Sequence, residues 1–275
     1  MARRESTVRL IALARDILTQ DNPMTLRQVF YQLVARAELA NTLTRYKALS
    51  RALASARRDG DIPWEWIEDR LRVPRQVPMW DGLADFADDA AASFALNVWD
   101  TQPAYVEAWL EKDALSGIFQ DVLYTYGATL NVGRGYDSWT AVHDAAQRYQ
   151  AAEVPVTVLY FGDFDPSGED MVRSLRERLA EEGARPEVVK CALTPEDIER
   201  YSLPPAMAKR SDSRARAFIA KHGDVSVELD ALPTSVLRER LTAEVEARMD
   251  LYALHCIRET EERERAELVR RLSAA

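Results

Sequence analysis

One segment constrains the fold more than any other. Residues 154–161, Val-Pro-Val-Thr-Val-Leu-Tyr-Phe, form a continuous apolar, β-branched run that passes directly into Gly-Asp-Phe-Asp-Pro-Ser-Gly at 162–168. A strand with one wet face alternates apolar and polar residues. A run without alternation marks a strand buried on both faces, as in a parallel sheet covered by helices. The neighbouring sequence keeps the same rhythm: strand-like segments at 104–110, 129–135 and 186–193 alternate with helical segments at 111–127, 138–152 and 169–183. The pattern predicts an α/β fold with a mostly parallel sheet and sites at the carboxyl ends of its strands.

The first 75 residues read differently. Apolar positions at helical spacing predict a helix over 5–19, which Asp21-Asn22-Pro23 stops. Thr25 then caps a second helix with the apolar stripe Leu26, Val29, Phe30, Leu33 and Val34. A third helix runs from Thr44 to Arg58, with Leu49, Ala52 and Leu53 inward and Arg45, Lys47, Arg51, Arg57 and Arg58 on its other faces. Gly60 ends it, and residues 61–69, with two tryptophans and a proline, read as a hairpin or extended wing. Three short helices followed by a wing predict an N-terminal winged-helix domain over 1–75, its third helix offering Arg45, Lys47 and Arg51 to double-stranded DNA.

Charge partitions along the same line. The 275-residue chain has a formal net charge of −9, yet residues 1–75 hold 14 lysines and arginines against 9 acids, and the remainder holds 22 against 36. A basic binding module joined to an acidic body gives this asymmetry, and so does a chance cluster of arginines on solvated helices. Residues 76–100 read as a connector that includes an Ala- and Asp-rich helix, which leaves 101–275 as a second domain with a C-terminal extension. No apolar run approaches the roughly 20 residues of a membrane span, and the N-terminus lacks the apolar core of a signal peptide. Cys191 and Cys256 lie far apart without metal-ligand spacing. The expectation is a cytoplasmic protein with reduced thiols and no membrane partner.

The acids carry the chemistry. In an extended chain Asp163 and Asp165 point to the same side and Phe164 to the other. Two carboxylates that close repel unless a cation lies between them, and Glu111, at the end of another strand, converges on the same sheet edge. This oxygen-rich set suits Mg²⁺; the alternative is that the aspartates only cap the following helix. Glu228 and Asp230 read as further metal ligands or, by default, as helix-flanking acids on a solvated strand, His143 and His222 as surface residues, and His255 as packed within the terminal helix.

Three segments, AWLEKDAL, NVGRGYDSW and LYFGDFDPSGEDM, resemble in order the motifs of the Toprim domain, as found in the DNA-cleaving subunit of topoisomerase VI and in the meiotic double-strand-break transesterase. The matching residues are Glu111-Lys112, Gly135-Tyr136, and Asp163, Asp165, Pro166 and Gly168. That family also carries an upstream winged helix with an Arg-x-x-hydrophobic-Tyr motif, here Arg27-Gln28-Val29-Phe30-Tyr31. The resemblance implies that Glu111, Asp163 and Asp165 hold Mg²⁺ and that Lys112 joins the DNA contacts. It implies that Tyr31 attacks a DNA phosphodiester and remains as a phosphotyrosine intermediate, with Arg27 beside it and Glu111 assisting. It further implies a homodimer in which one protomer's tyrosine meets the other's metal site. Residues 194–230 resemble segments of phage and mobile-element proteins with this Toprim type. These residues show no sign of an ATPase region, so the expectation is either a separate ATPase partner subunit for strand passage or a protein that only nicks or cleaves.

Other functions stay open at the level of sequence. A Toprim nuclease would hydrolyse DNA with metal-activated water and leave Tyr31 structural. A haloacid-dehalogenase-like phosphatase would use Asp163-x-Asp165-x-Ser167, although Glu111-Lys112 precedes that motif where the family places nothing. A non-catalytic DNA-binding protein would use the acids for folding alone.

Overall fold

The alternation of apolar strands and amphipathic helices folds as an α/β protein. The computed structural model describes residues 5–68, 77–133, 138–205 and 214–273. Four parallel strands form the central sheet: β3 (Tyr105–Leu110), β4 (Thr129–Val132), β5 (Val156–Phe161) and β6 (Glu187–Ala192), following two short N-terminal strands β1 (Met24–Thr25) and β2 (Ile67–Glu68). The order across the sheet is β4-β3-β5-β6.

Both faces of the sheet are covered. Along β3 and β5, Ala108, Leu110, Leu159 and Phe161 pack to one side against α5 (Ser116–Tyr126) and α10 (Thr234–Glu246). Trp109, Val158 and Tyr160 face the opposite side, against α6 (Trp139–Ala151) and α7 (Pro166–Glu181). The twofold alternation of a strand sorts these side chains, and both sets are apolar, which is why the sequence shows no alternation there. One carboxylate lies inside this layer. Glu107 on β3 is fully buried and takes both arms of the Arg148 guanidinium at 2.6 and 2.9 Å, with Asn131, Tyr105 and Tyr149 also donating to it.

The N-terminal helices α1 (Glu5–Gln20), α2 (Leu26–Ala35) and α3 (Leu43–Arg58) close around their own core of Ile17, Leu18, Val29, Leu33, Leu49 and Leu53. Thr25 and Gln28 form a reciprocal capping box that starts α2, and Gly60, at φ +82°, lies just beyond the end of α3. Of the hairpin or extended wing expected over 61–69, the described residues 61–68 form no hairpin. Trp64–Trp66 make a 3₁₀ turn and β2 pairs in parallel with β1, so the segment returns to the start of α2. Arg57 fixes this return by donating to the Trp64 and Ile67 carbonyls and stacking on the Trp64 ring.

The stretch read as a connector docks onto the rest of the chain. Its helix α4 (Leu83–Ser93) lies along the terminal helix α11 (Leu251–Ser273), where Glu261, 2% exposed, accepts from the Leu96 amide and pairs with Arg258 and Arg265. His255, expected to pack, is exposed on α11, whereas His222, expected at the surface, lies half-buried against Phe164 and Phe218. Among the described residues no helix is long and apolar enough to cross a membrane.

Candidate active site

The direction of the chain's crossovers reverses between β3 and β5, because β4 lies beyond β3 and β6 beyond β5. The crevice at the carboxyl ends of such a strand pair is where open parallel sheets bind ligands. Leu110 and Phe161 are register partners, and the Glu111 N–H donates to the Phe161 carbonyl at 2.9 Å. Glu111 therefore leaves β3 level with the point where Gly162-Asp163 leaves β5.

Two glycines let the loop pass at this distance. A Cβ on Gly162 would lie 2.6 Å from Glu111 Oε2 and from the Tyr160 ring, and one on Gly168 would lie 2.3 Å from the Asp163 carbonyl oxygen. With both absent, the Asp163 N–H donates to Glu111 Oε2 at 2.9 Å, and Asp165 caps α7 by accepting from Gly168 N–H at 2.7 Å, with Pro166 opening the helix. The capping alternative thus describes Asp165 but not Asp163.

Phe164, pointing away from the acids, forms an antiparallel bridge with Val227. That bridge draws residues 227–231 into the site. Leu229 N–H donates to Asp163 Oδ1 at 2.7 Å, and Glu228 and Asp230 fall beside Lys112. Asp230 is 1% exposed, so the reading of a solvated strand is corrected. The alternation Val225, Val227, Leu229 against Ser226, Glu228, Asp230 was the available signal, since it repeats the acid-apolar-acid spacing of Asp163 to Asp165.

Lys112 occupies the middle of this cluster. Its ammonium lies 3.0 Å from Asp163 Oδ2, 2.9 Å from Glu228 Oε2 and 3.4 Å from Asp230 Oδ2. Its charge is engaged by these acids, and its side chain is 16% exposed within the cleft.

Helix α2 supplies the opposite wall, packed against the 3₁₀ turn Leu229–Ala231. Arg27 pairs with Glu228 and, through Nε at 3.1 Å, with Asp230. One turn later Tyr31, 8% exposed, lies with its ring centroid 5.4 Å from the Arg27 guanidinium carbon, on the side of the cleft that Glu228 also lines. Arg27, Tyr31, Glu111, Lys112, Asp163 and Asp165 all line one cleft of about 460 Å³. The resemblance sets the tyrosine against a partner's metal site; here it lines the cleft of its own chain. Arg45, Lys47 and Arg51 lie exposed on α3, and Gly135-Tyr136 falls outside the described residues.

Electrostatics separates the acids. Burial, then the charge of Asp163, pushes the Glu111 carboxyl up to about 7. Burial also raises Asp163, against the pull of Lys112. Glu228 goes the other way: burial opposes its charge, but Lys112 and Arg27 hold it down at about 2. Burial and the neighbouring Glu228 raise the Tyr31 phenol, outweighing Arg27, so its proton is tightly held.

The donor set fits a hard cation. Glu111, Asp163 and Asp165 offer oxygen ligands in one cleft, Glu111 is raised by burial and then by Asp163, and the buried Asp230 Oδ1 has no hydrogen-bond partner. Among the described residues no three such side chains are already arranged around one point; Lys112 lies against Asp163 and Gly168 N–H against Asp165. The chain matches no protein-family model and no curated protein.

Proposed function

We propose that this is a Mg²⁺-dependent DNA-cleaving transesterase of the kind found in topoisomerase VI, built from a winged-helix-like unit and a Toprim-like α/β unit. The observation that carries the reading is the shared cleft: Tyr31 and Arg27 of α2 face the acids that follow β3 and β5. Nothing in the folding of a three-helix unit requires its tyrosine to meet the carboxylates at a sheet's switch point.

Glu111, Asp163 and Asp165 are the residues that would hold Mg²⁺, which when bound supplies positive charge to the phosphate oxygens and to the acid cluster. The chain's own groups do the rest. Tyr31 Oη forms a bond to phosphorus as the bond from phosphorus to a sugar oxygen breaks. The phenol proton passes to water, and the departing sugar oxygen takes a proton from water; Glu228, already paired with Arg27 and Lys112, holds those two cations in place. Arg27 faces the phenol and offers its guanidinium to the phosphate's charge. The phosphoester is exchanged rather than hydrolysed, so the break can be resealed. The exposed Arg45, Lys47 and Arg51 serve the DNA backbone.

Supercoiled plasmid incubated with Mg²⁺ and quenched with detergent tests this. Cleaved DNA that enters a gel only after protease treatment, with wild type and not with Tyr31→Phe, is the expected result. Cleavage that persists in Tyr31→Phe and ignores protease would replace the transesterase with a hydrolytic nuclease, the reading that the tightly held phenol proton favours.

A further inference from the structure

A lysine on the edge strand reaches the loop that carries the two aspartates. Lys190 of β6 is the register partner of Tyr160 of β5. Register partners in a parallel pair share a face, here the one that α7 covers. Lysine is seldom buried without partners. The Lys190 side chain is 15% exposed, and its ammonium donates to the Asp163 carbonyl at 3.2 Å and to Glu169 Oε1 at 2.5 Å. It also lies 5.7 Å from the centroid of the Phe164 ring.

All three contacts fall on residues 163–169, where the chain turns from β5 into α7. The other polar groups of Asp163 are held from elsewhere: its N–H by Glu111, Oδ1 by the Leu229 N–H and Oδ2 by Lys112. Its carbonyl lies against Gly168, where a Cβ has no room, and Lys190 is the side chain that donates to it. Through Glu169 the same ammonium ties that carbonyl to the first turn of α7, the helix that Asp165 caps. Lys190 thus sets Asp163 against α7, and with it the spacing of the two carboxylates, while standing outside the cleft lining itself.

We infer that Lys190 is a positioning residue for the metal site, holding the Asp163–Asp165 loop in the geometry that receives a divalent cation; this rests on the reading of Glu111, Asp163 and Asp165 as Mg²⁺ ligands. Groups behind a ligand set orient it, and their loss typically weakens metal binding about 10- to 100-fold. Charge alone has the opposite sign. An ammonium near a divalent cation repels it, so removing that charge would tighten binding. The direction of the change therefore separates positioning from electrostatics.

Calorimetric titration of the full chain with Mn²⁺, well below its unfolding temperature, tests this. Lys190→Met should raise the Mn²⁺ Kd about tenfold or more. Lys190→Met combined with Glu169→Gln removes the ion pair without changing the net charge, and should also raise Kd about tenfold or more. Hydrogen exchange in chelator reads the loop without metal: the Asp163 and Leu229 amides should exchange faster in the double variant, and the Val158 and Leu159 amides within β5 should not. A Kd unchanged in the double variant, or lowered in Lys190→Met, overturns the role of Lys190 and leaves the metal ligands standing. Mn²⁺ that fails to bind wild type, or binds Asp163→Asn equally well, overturns the Mg²⁺ reading and the role of Lys190 with it.

Discussion

Lys112→Met removes the ammonium at the centre of the acid cluster while keeping most of the side-chain length. Lys112 makes three contacts of 2.9 to 3.4 Å with carboxylates, and two of their owners, Asp163 and Asp230, have side chains only 10% and 0% exposed. At an effective dielectric near 20, one charge pair about 3 Å apart is worth roughly 5 kcal/mol before desolvation. Most of that offsets the cost of burying the charges. Removing the ammonium leaves the buried Asp163 without a cation, while Arg27 still holds Glu228 and Asp230, so the loss falls at the lower end of about 3–5 kcal/mol. Urea unfolding near neutral pH in chelator should therefore show the midpoint falling by about 1 M or more, given a slope of up to about 3 kcal/mol per molar. Millimolar Mg²⁺ should then stabilise Lys112→Met more than wild type, since a divalent cation meets the same carboxylates without displacing an ammonium. A variant within about 0.5 kcal/mol of wild type in chelator, the range of ordinary surface substitutions, would refute this account of the cluster.

The geometry predicts three further outcomes. Gly168→Ala places a Cβ 2.3 Å from the Asp163 carbonyl oxygen and should cost at least about 1–3 kcal/mol in urea unfolding, whereas Gly82→Ala, with open space around it, should cost far less. Arg148→Met strips the guanidinium from the fully buried Glu107 and should cost about 3–5 kcal/mol; Glu107→Gln in the same background should recover part of that loss. The Glu111 carboxyl rises on folding from 4.5 to about 7, so the folded protein binds that proton more tightly than the unfolded chain does. Its contribution to stability is complete below about pH 4.5 and is lost as pH climbs through about 7, an effect of the order of 3 kcal/mol. Thermal unfolding in chelator should show that loss in wild type and less of it in Glu111→Gln, and Mg²⁺ should stabilise wild type more at about pH 8 than at about pH 5.

The sheet was legible because its central strands are apolar on both faces, so the run through residue 161 announced both its burial and the place where the acids emerge. The first three helices were equally plain, since Thr25 and Gly60 mark their ends and the apolar stripes between are regular. What escaped reading depended on partners distant in sequence. Asp230 looks solvated until the Phe164–Val227 bridge, a pairing across more than 60 residues, carries it under α2. Lys112 shows its place in the motif in the sequence, but not that Glu228 and Asp230 lie against it. Residues 61–68 carry the tryptophans and proline of a turn, but only the start of α2 selects parallel pairing with β1 over a hairpin. The connector's helix showed its composition but not its docking on α11, beside which Glu261 and Arg265 bind the Leu96 N–H and the Phe94 carbonyl.

Mass spectrometry of the peptide spanning Gln28 to Arg36, which trypsin releases by cutting after Arg27 and Arg36, tests the central claim most directly. The protein is incubated with duplex DNA and Mg²⁺, denatured, and digested with nuclease and trypsin. The expected result is a nucleotide phosphate esterified to Tyr31, absent without Mg²⁺ and absent from Asp163→Asn. Cut DNA accompanied by an unmodified Tyr31 peptide would contradict the transesterase reading.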